Sequence, residues 1–386
     1  MTWNSFSLPL ALCSMQKLRY MKTTRLILVG GFLGAGKTTL LWEAARRITE
    51  SGKRTGLITN DQASELVDTA LLLRNDVKVA EVSGSCFCCN FNGLIDALKN
   101  VRDEANADVI IAEPVGSCTD LSATILQPLK QNLRGELIVS PLSVLADPIR
   151  LNDILNGGTA GLHSSAAYIF RKQLEESDLI LISKSDLVSP EELALLKEKV
   201  KLHFPDSEVM SVSSLSGEGM DEWLSEVLTR TDAGKRLVEV DYDVYAEGEA
   251  VLGWLNTTIE LSGIETDWDA FGHELMQNLS HQFDAMNASV GHLKILLESG
   301  EDYLISNLTG LNDTLSFRGS AGINTKARLT LNARVEINPE ALEAIVRKTL
   351  DSTKGMDIKK EIIALRCLSP GRPNPTFRFE KVVPVF

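Results

Sequence analysis

A chain of 386 residues is longer than one average domain, and 44% hydrophobic content is that of a folded protein with full cores. The formal net charge of −13 argues against a nucleic-acid or anionic-membrane partner, since phosphate surfaces are held by basic faces. No stretch reaches the roughly 18 to 20 apolar residues that span a bilayer.

Residues 1–20 hold a short apolar run, Phe6 to Met15, with no Lys or Arg before it. The basic start of a signal peptide is missing, so these residues are expected to be an extension of little consequence to a cytoplasmic protein. From Met21 to about Arg230, apolar β-like runs alternate with helical patterns. The expected strands are Arg25 to Val29, Arg54 to Thr59, Val77 to Val82, Asp108 to Ala112, Glu136 to Leu145, Leu179 to Ser183 and Glu208 to Val212. Glu191 to His203 reads as a helix opened by Ser189-Pro190. Such alternation predicts an α/β domain with a mostly parallel sheet over residues 21–235.

After Lys235 the pattern changes. Arg236 to Tyr245, Val251 to Leu261, His292 to Glu298, Tyr303 to Leu308, Ala327 to Ile337 and Ile362 to Cys367 are expected strands. Trp268 to Asn287 and a segment opening at Asn338-Pro339 are expected helices. Residues 236–386 therefore predict a smaller α+β domain, a ferredoxin-like sandwich.

The most specific motif is GFLGAGKTT, from Gly31 to Thr39, which satisfies GxxxxGK[ST] between an apolar strand and an amphipathic helix. Such a loop cradles phosphates with backbone amides and a helix N-terminus, so Gly31, Gly34, Ala35, Gly36, Lys37, Thr38 and Thr39 are expected to bind nucleotide. Lys37 would serve the β- and γ-phosphates and the Thr38 hydroxyl would hold Mg²⁺. Asp61, in Asn60-Asp61-Gln62 after the second strand, could approach Mg²⁺ or the attacking water. Glu113, ending the apolar run Ile110 to Ala112, would deliver a carboxylate to the ligand end of the sheet. In Ser183-Lys184-Ser185-Asp186, the Asp186 carboxylate suits two guanine donors and the Lys184 stem suits the face of the base. Ser183 stands where this motif usually has Asn. Ser213 and Ser214 open a loop that could touch the base with its amides.

Six cysteines, three of them crowded at Cys86, Cys88 and Cys89, do not resemble a disulfide framework. Thiolates suit Zn²⁺ and other late transition metals. In an extended segment Cys86 and Cys88 share a face, and Cys89 joins them only if the chain turns. Cys118 is a further candidate thiolate, and a metal-free set of buried or redox-active thiols is the alternative. His273 and His281 stand roughly 12 Å apart on one expected helix, too far to chelate one ion. His163, His203 and His292 are scattered and read as surface or packing residues.

Taken in order, GFLGAGKTT, Asn60-Asp61, SCFCC, AEPVG and SKSD resemble a CobW-type GTPase, a relative of the GTPases that help insert nickel into urease and hydrogenase. The resemblance implies slow GTP hydrolysis controlling the hand-over of Zn²⁺ or Co²⁺, with catalytic Lys37, Asp61 and Glu113. It implies Mg²⁺ at Thr38, Asp61 and Glu113, and the transferred metal at Cys86, Cys88 and Cys89. The implied partner is an unidentified client metalloprotein or corrinoid enzyme, with no nucleic acid or membrane, and a homodimer is compatible. Two departures stand out: Ser64 and Glu65 replace the family's switch pattern, and its histidine-rich tract is absent. Rival readings are a nucleotide-dependent adaptor for a corrinoid enzyme and a P-loop small-molecule kinase.

Overall fold

The computed structural model describes residues 23–61, 78–310, 315–353 and 358–384. The first unit is a parallel sheet of β1 (Thr24–Gly31), β2 (Thr55–Asp61), β3 (Lys78–Ser83), β4 (Val109–Glu113), β5 (Leu137–Val139), β6 (Ser143–Ala146), β7 (Leu179–Ile182) and β8 (Glu208–Ser211). Its order is β3-β2-β4-β1-β6-β7-β8, and β5 pairs the first half of β1 while β6 pairs the second. Buried on both faces, these strands read as continuous apolar runs rather than alternating ones.

Helices α1 (Lys37–Glu50), α2 (Phe91–Glu104), α3 (Gln127–Asn132), α4 (Pro148–Leu155), α5 (Ser164–Glu176), α6 (Pro190–His203) and α7 (Met220–Thr229) connect the strands. Leu40, Leu41, Ala44 and Ile48 of α1 and Trp223 and Val227 of α7 pack one face of the sheet. Leu94 and Leu98 of α2, Phe170 and Leu174 of α5, and Val200 of α6 pack the other.

Helix α8 (Tyr242–Ala250) packs against α5, and the second unit then comprises β9 (Gly253–Asp267), α9 (Trp268–Ala285), β10 (Val290–Ser299), β11 (Asp302–Leu308), β12 (Ser316–Ser320), β13 (Ile323–Val335), α10 (Pro339–Ser352) and β14 (Lys359–Leu368). Its antiparallel sheet runs β12-β11-β10-β13-β9-β14. The order β14-β9-β13-β10 is that of a ferredoxin-like split β-α-β core, extended at one edge by the inserted hairpin β11–β12. Among the described residues no helix is long and apolar enough to cross a membrane.

Two expectations need correction. Glu136 to Leu145 is not one strand but β5 and β6, because Pro141 between them has no N–H to donate to a ladder. Arg236 to Tyr245 is not a strand. Residues up to Asp241 are irregular, and the Asp241 carboxylate then caps α8 by accepting from the Asp243 and Val244 amides. Tyr245 of α8 is buried in the same apolar cluster as Phe170 of α5, so tertiary burial overrides local β preference there.

Candidate functional site

The glycine-rich loop follows β1 and feeds directly into α1. Gly36 caps that helix at φ 89°, a left-handed conformation that costs glycine nothing. Lys37 and Thr38, the first two residues of α1, are both buried. The Thr38 hydroxyl donates to Glu113 Oε2 at 3.0 Å. Lys37 Nζ stands 3.8 Å from Glu113 Oε1 and donates to the Phe32 carbonyl at 3.3 Å. The adjacency of β1 and β4 in the sheet brings loop and carboxylate together. Asp61 ends β2, whose Thr59 pairs with Glu113, but the Asp61 side chain lies outside the described residues. So do Gln62 and the segment containing Ser64 and Glu65.

The two base-side segments leave neighbouring strands, β7 and β8, at the same sheet edge. Ser183 is buried and its hydroxyl donates to the Ala146 carbonyl at 3.2 Å. Lys184 takes a left-handed conformation, φ 50°, and its ammonium meets Asp147 at 2.9 Å. Asp186 is exposed on a short turn, Ser185–Leu187, and the Ser185 amide donates to the Val212 carbonyl at 3.3 Å. Beyond β8, Ser213 is buried and its hydroxyl accepts from the Ser216 amide at 3.1 Å, with Ser214 next to it.

The cysteine segment is a turn, not an extended strand. The Cys89 and Asn90 amides both donate to the Cys86 carbonyl, at 3.1 and 2.9 Å. That turn brings Cys89 round to the other two, so the three sulfurs lie within 4.8 Å of one another. Cys86 Sγ and Cys88 Sγ are 3.1 Å apart, and Cys88 Sγ and Cys89 Sγ 3.8 Å. Asn60 clamps the turn. Its amide donates to the Val82 and Ser85 carbonyls at 2.7 and 2.9 Å, and its oxygen accepts from the Phe87 amide at 2.8 Å.

Cys118 reaches this cluster from beyond β4, against Cys86 and Cys88. Hydrogen bonds from Cys118 first, then Cys88 and Cys89, hold the Cys86 thiol well below its ordinary range. Hydrogen bonding to Cys86, followed by burial and then the Cys86 charge, pushes the Cys89 thiol up to about 11, and hydrogen bonding within the cluster together with burial pushes Cys88 up as well. The first proton therefore leaves Cys86, and the cluster shares that thiolate.

Three features escaped the sequence reading. Glu249 of α8 is buried beside the cluster, and burial, followed by the charge of Cys86, pushes its carboxyl up to about 8. Asn60 holds the main chain of the cysteine turn. The segment after β14 lies across the turn, where the Asn374 amide donates to Cys89 Sγ at 3.3 Å and the Thr376 amide to the Cys88 carbonyl at 2.8 Å. These groups are distant in sequence and carry no local pattern. The histidines stay apart from the thiols in role: His163 caps α5 and His292 is buried.

A parallel sheet, a glycine-rich loop opening α1 and a carboxylate on the adjoining strand define a P-loop nucleotide-binding domain, here carrying a thiol cluster beside the nucleotide loop. Residues 25–211 match the sequence profile of the CobW/HypB/UreG nucleotide-binding domain. The chain is 28% identical over 176 residues to zinc chaperone YeiR of Escherichia coli, covering 44% of this chain and 48% of that protein. It is 27% identical over 181 residues to the zinc-regulated GTPase metalloprotein activator 1 of Schizosaccharomyces pombe, covering 44% and 41%. The matches thus span less than half the length of either relative. Among solved structures, nickel-bound HypB from Helicobacter pylori aligns with 57% of this chain and 92% of its own, at 16% identity and a TM-score of 0.40.

Proposed function

We propose that this chain is a cytoplasmic, GTP-hydrolysing metallochaperone that carries a thiophilic divalent metal, Zn²⁺ or Co²⁺, on Cys86, Cys88 and Cys89 and yields it to a client metalloprotein as the nucleotide state changes. The observation that carries this reading is the double attachment of the thiol cluster to the nucleotide site. Asn60, at the end of β2, grips the turn through three hydrogen bonds. On the other side, the segment after Glu113 runs past Lys37 to Cys118. A Cβ on Gly116 would stand 2.7 Å from Leu33 Cδ2 and 3.0 Å from Lys37 Nζ, so glycine lets that segment run close against the loop and its ammonium. A change at the phosphates has a short physical route to the sulfurs.

In this reading Lys37 and the amides of Gly31, Gly34, Ala35, Gly36, Thr38 and Thr39 hold the phosphates. The Thr38 hydroxyl and the Glu113 carboxylate, paired in this structure, are hard oxygen donors that fit Mg²⁺, which would neutralise charge on the phosphates. Asp61 completes that set. Asp186, Lys184 and Ser183 hold the guanine, with the amides of Ser213 and Ser214 closing the base site. Release of metal then requires that the two nucleotide states differ in metal affinity.

Linkage supplies the test. If GTP tightens Zn²⁺ binding by some factor, Zn²⁺ must tighten GTP binding by the same factor, typically about 5- to 150-fold. Calorimetric titration of each ligand, with and without the other, should give equal factors. Equal metal affinity in the apo, GTP and GDP forms would overturn hand-over and favour the adaptor reading.

A further inference from the structure

Strand β6 stands between β1 and β7 in the parallel sheet, with Leu145 beside Gly31 and Ala146 beside Ile182. Asp147, the residue after β6, therefore emerges at the ligand end of the sheet, between the phosphate loop and the Ser183–Asp186 turn. Its side chain is only 14% exposed, so salt screens its contacts weakly. Asp147 Oδ1 caps α4 by accepting from the Ile149 and Arg150 amides at 3.0 and 3.2 Å. Asp147 Oδ2 accepts from Lys184 Nζ at 2.9 Å. Burial works against a charge there, but the charge of Lys184 and its hydrogen bond outweigh it and hold the carboxyl below its usual range. The end of β6 also holds the turn through its main chain, since the Ser183 amide and hydroxyl donate to the Ala146 carbonyl at 3.0 and 3.2 Å. Lys184 follows with φ 50°, a left-handed conformation uncommon outside glycine that persists where its surroundings fix it.

A lysine stem of four carbons is flexible, and ordering it against a ligand costs rotamer freedom at the moment of binding. Tying its ammonium to a fixed carboxylate removes much of that freedom beforehand, which is how preorganisation raises affinity. We propose that Asp147 is a positioning residue for guanine nucleotide, whose carboxylate holds Lys184 where its stem covers the base. The inference rests on the reading of Ser183–Asp186 as the base turn and adds the residue that sets Lys184 within it. Asp147 acts through Lys184 and touches no nucleotide itself. Its second oxygen fastens the same carboxylate to α4, so the anchor for Lys184 is itself held by a helix rather than by a loose loop.

Asp147→Asn is the informative substitution, because an amide oxygen still caps α4 while the charge that holds Lys184 is gone. Calorimetry on the full-length protein with Mg²⁺ compares GTP with inorganic triphosphate, which carries no base. Asp147→Asn should weaken GTP binding by about 3- to 10-fold, the cost of ordering one freed long side chain, and leave inorganic triphosphate unchanged. Lys184→Ala should weaken GTP binding at least as much, and adding Asp147→Asn to it should cost nothing further. Lys184→Met keeps an unbranched stem without the ammonium and leaves the cap of α4 untouched. It should match Asp147→Asn, and it decides the matter if that variant misfolds. Unchanged GTP affinity in Asp147→Asn or in Lys184→Met, equal losses for GTP and inorganic triphosphate, or additive losses in the double variant would overturn the positioning role. Unchanged GTP affinity in both Lys184→Ala and Asp186→Asn would instead overturn the base-turn reading itself.

Discussion

Lys37 sits between two acceptors, the Phe32 carbonyl and Glu113, in a position only 6% exposed. In the proposed function that ammonium, beside a loop of backbone amides, serves the phosphates. Lys37→Ala should therefore lower GTP turnover by about 10² to 10³, the usual cost of removing one charge-stabilising donor. Thr38 would still donate to Glu113, so cooperative thermal unfolding should persist. Hydrolysis at the native rate in a folded variant would end the phosphate assignment. The residue scale also shows where local reading fell short. Asn60 enters the sequence reading only as the neighbour of Asp61, yet its side chain holds the main chain of the cysteine turn, because β3, which it meets through Val82, is the neighbour of β2.

At the scale of elements, the segment after β14 behaves as a strap over the cysteine turn. The Asn374 and Thr376 amides bond the turn, and the Thr376 hydroxyl donates to the Cys89 carbonyl at 3.1 Å. The Phe377 ring stands edge-on to Phe91 with centroids 5.3 Å apart, and Arg378 donates to Asp120 at 2.7 Å. An edge-to-face ring pair and a charged hydrogen bond to a buried acid are each worth on the order of 1 kcal/mol or more. Replacing both anchors, Phe377→Ala with Arg378→Ala, should loosen the strap and speed alkylation of Cys89 several-fold, while GTP binding is unchanged. Rate constants for iodoacetamide labelling, resolved by peptide mass, measure it. An unaltered Cys89 rate would show that the strap does not limit access to the thiol.

Across the whole molecule, the nucleotide loop lies in the seam between the two sheets. Arg150 of α4 donates to the Leu33 carbonyl and to the Val290 carbonyl at the start of β10, both at 2.9 Å. Gly34 abuts Thr309, so a Cβ there would come within 2.5 Å of Thr309 Cγ2. The loop proposed to hold phosphate thus also packs against the second unit. Buried acids set the pH response of this assembly. Glu176 of α5 accepts from the Ser122 amide at 2.9 Å and the Thr119 hydroxyl at 3.1 Å, but burial dominates and lifts its carboxyl from 4.5 to about 8. Below pH 4.5 folded and unfolded chains both keep that proton, and its contribution to stability is complete. As pH rises the unfolded chain ionises first, so stability falls until about pH 8, where the folded acid ionises too. Urea midpoints of metal-free protein should therefore decline from pH 5 to pH 8. Glu176→Gln should flatten part of that decline, because an amide does not titrate. Equal slopes in both proteins would show that Glu176 is not held protonated.

Local chemistry was sufficient for much of this. The phosphate loop, Glu113 at a strand end, SKSD and the crowded cysteines are contiguous motifs whose function follows from residue type and spacing. Most strands of both sheets were legible because burial on a sheet leaves an apolar run in the sequence. The order of the strands was not, and that order places Glu113 beside Thr38 and the SKSD turn beside the Ser213 loop. Whether Cys89 joined its neighbours depended on a turn fixed by Asn60, from a different strand. Cys118, Glu249 and the Asn374–Arg378 strap converge on the same sulfurs from three separate parts of the chain. The physical reason is the range of the forces involved. Helix caps, phosphate loops and strand periodicity act over a few residues, whereas a dry pocket of like-ionising groups exists only when distant segments have packed together and excluded water.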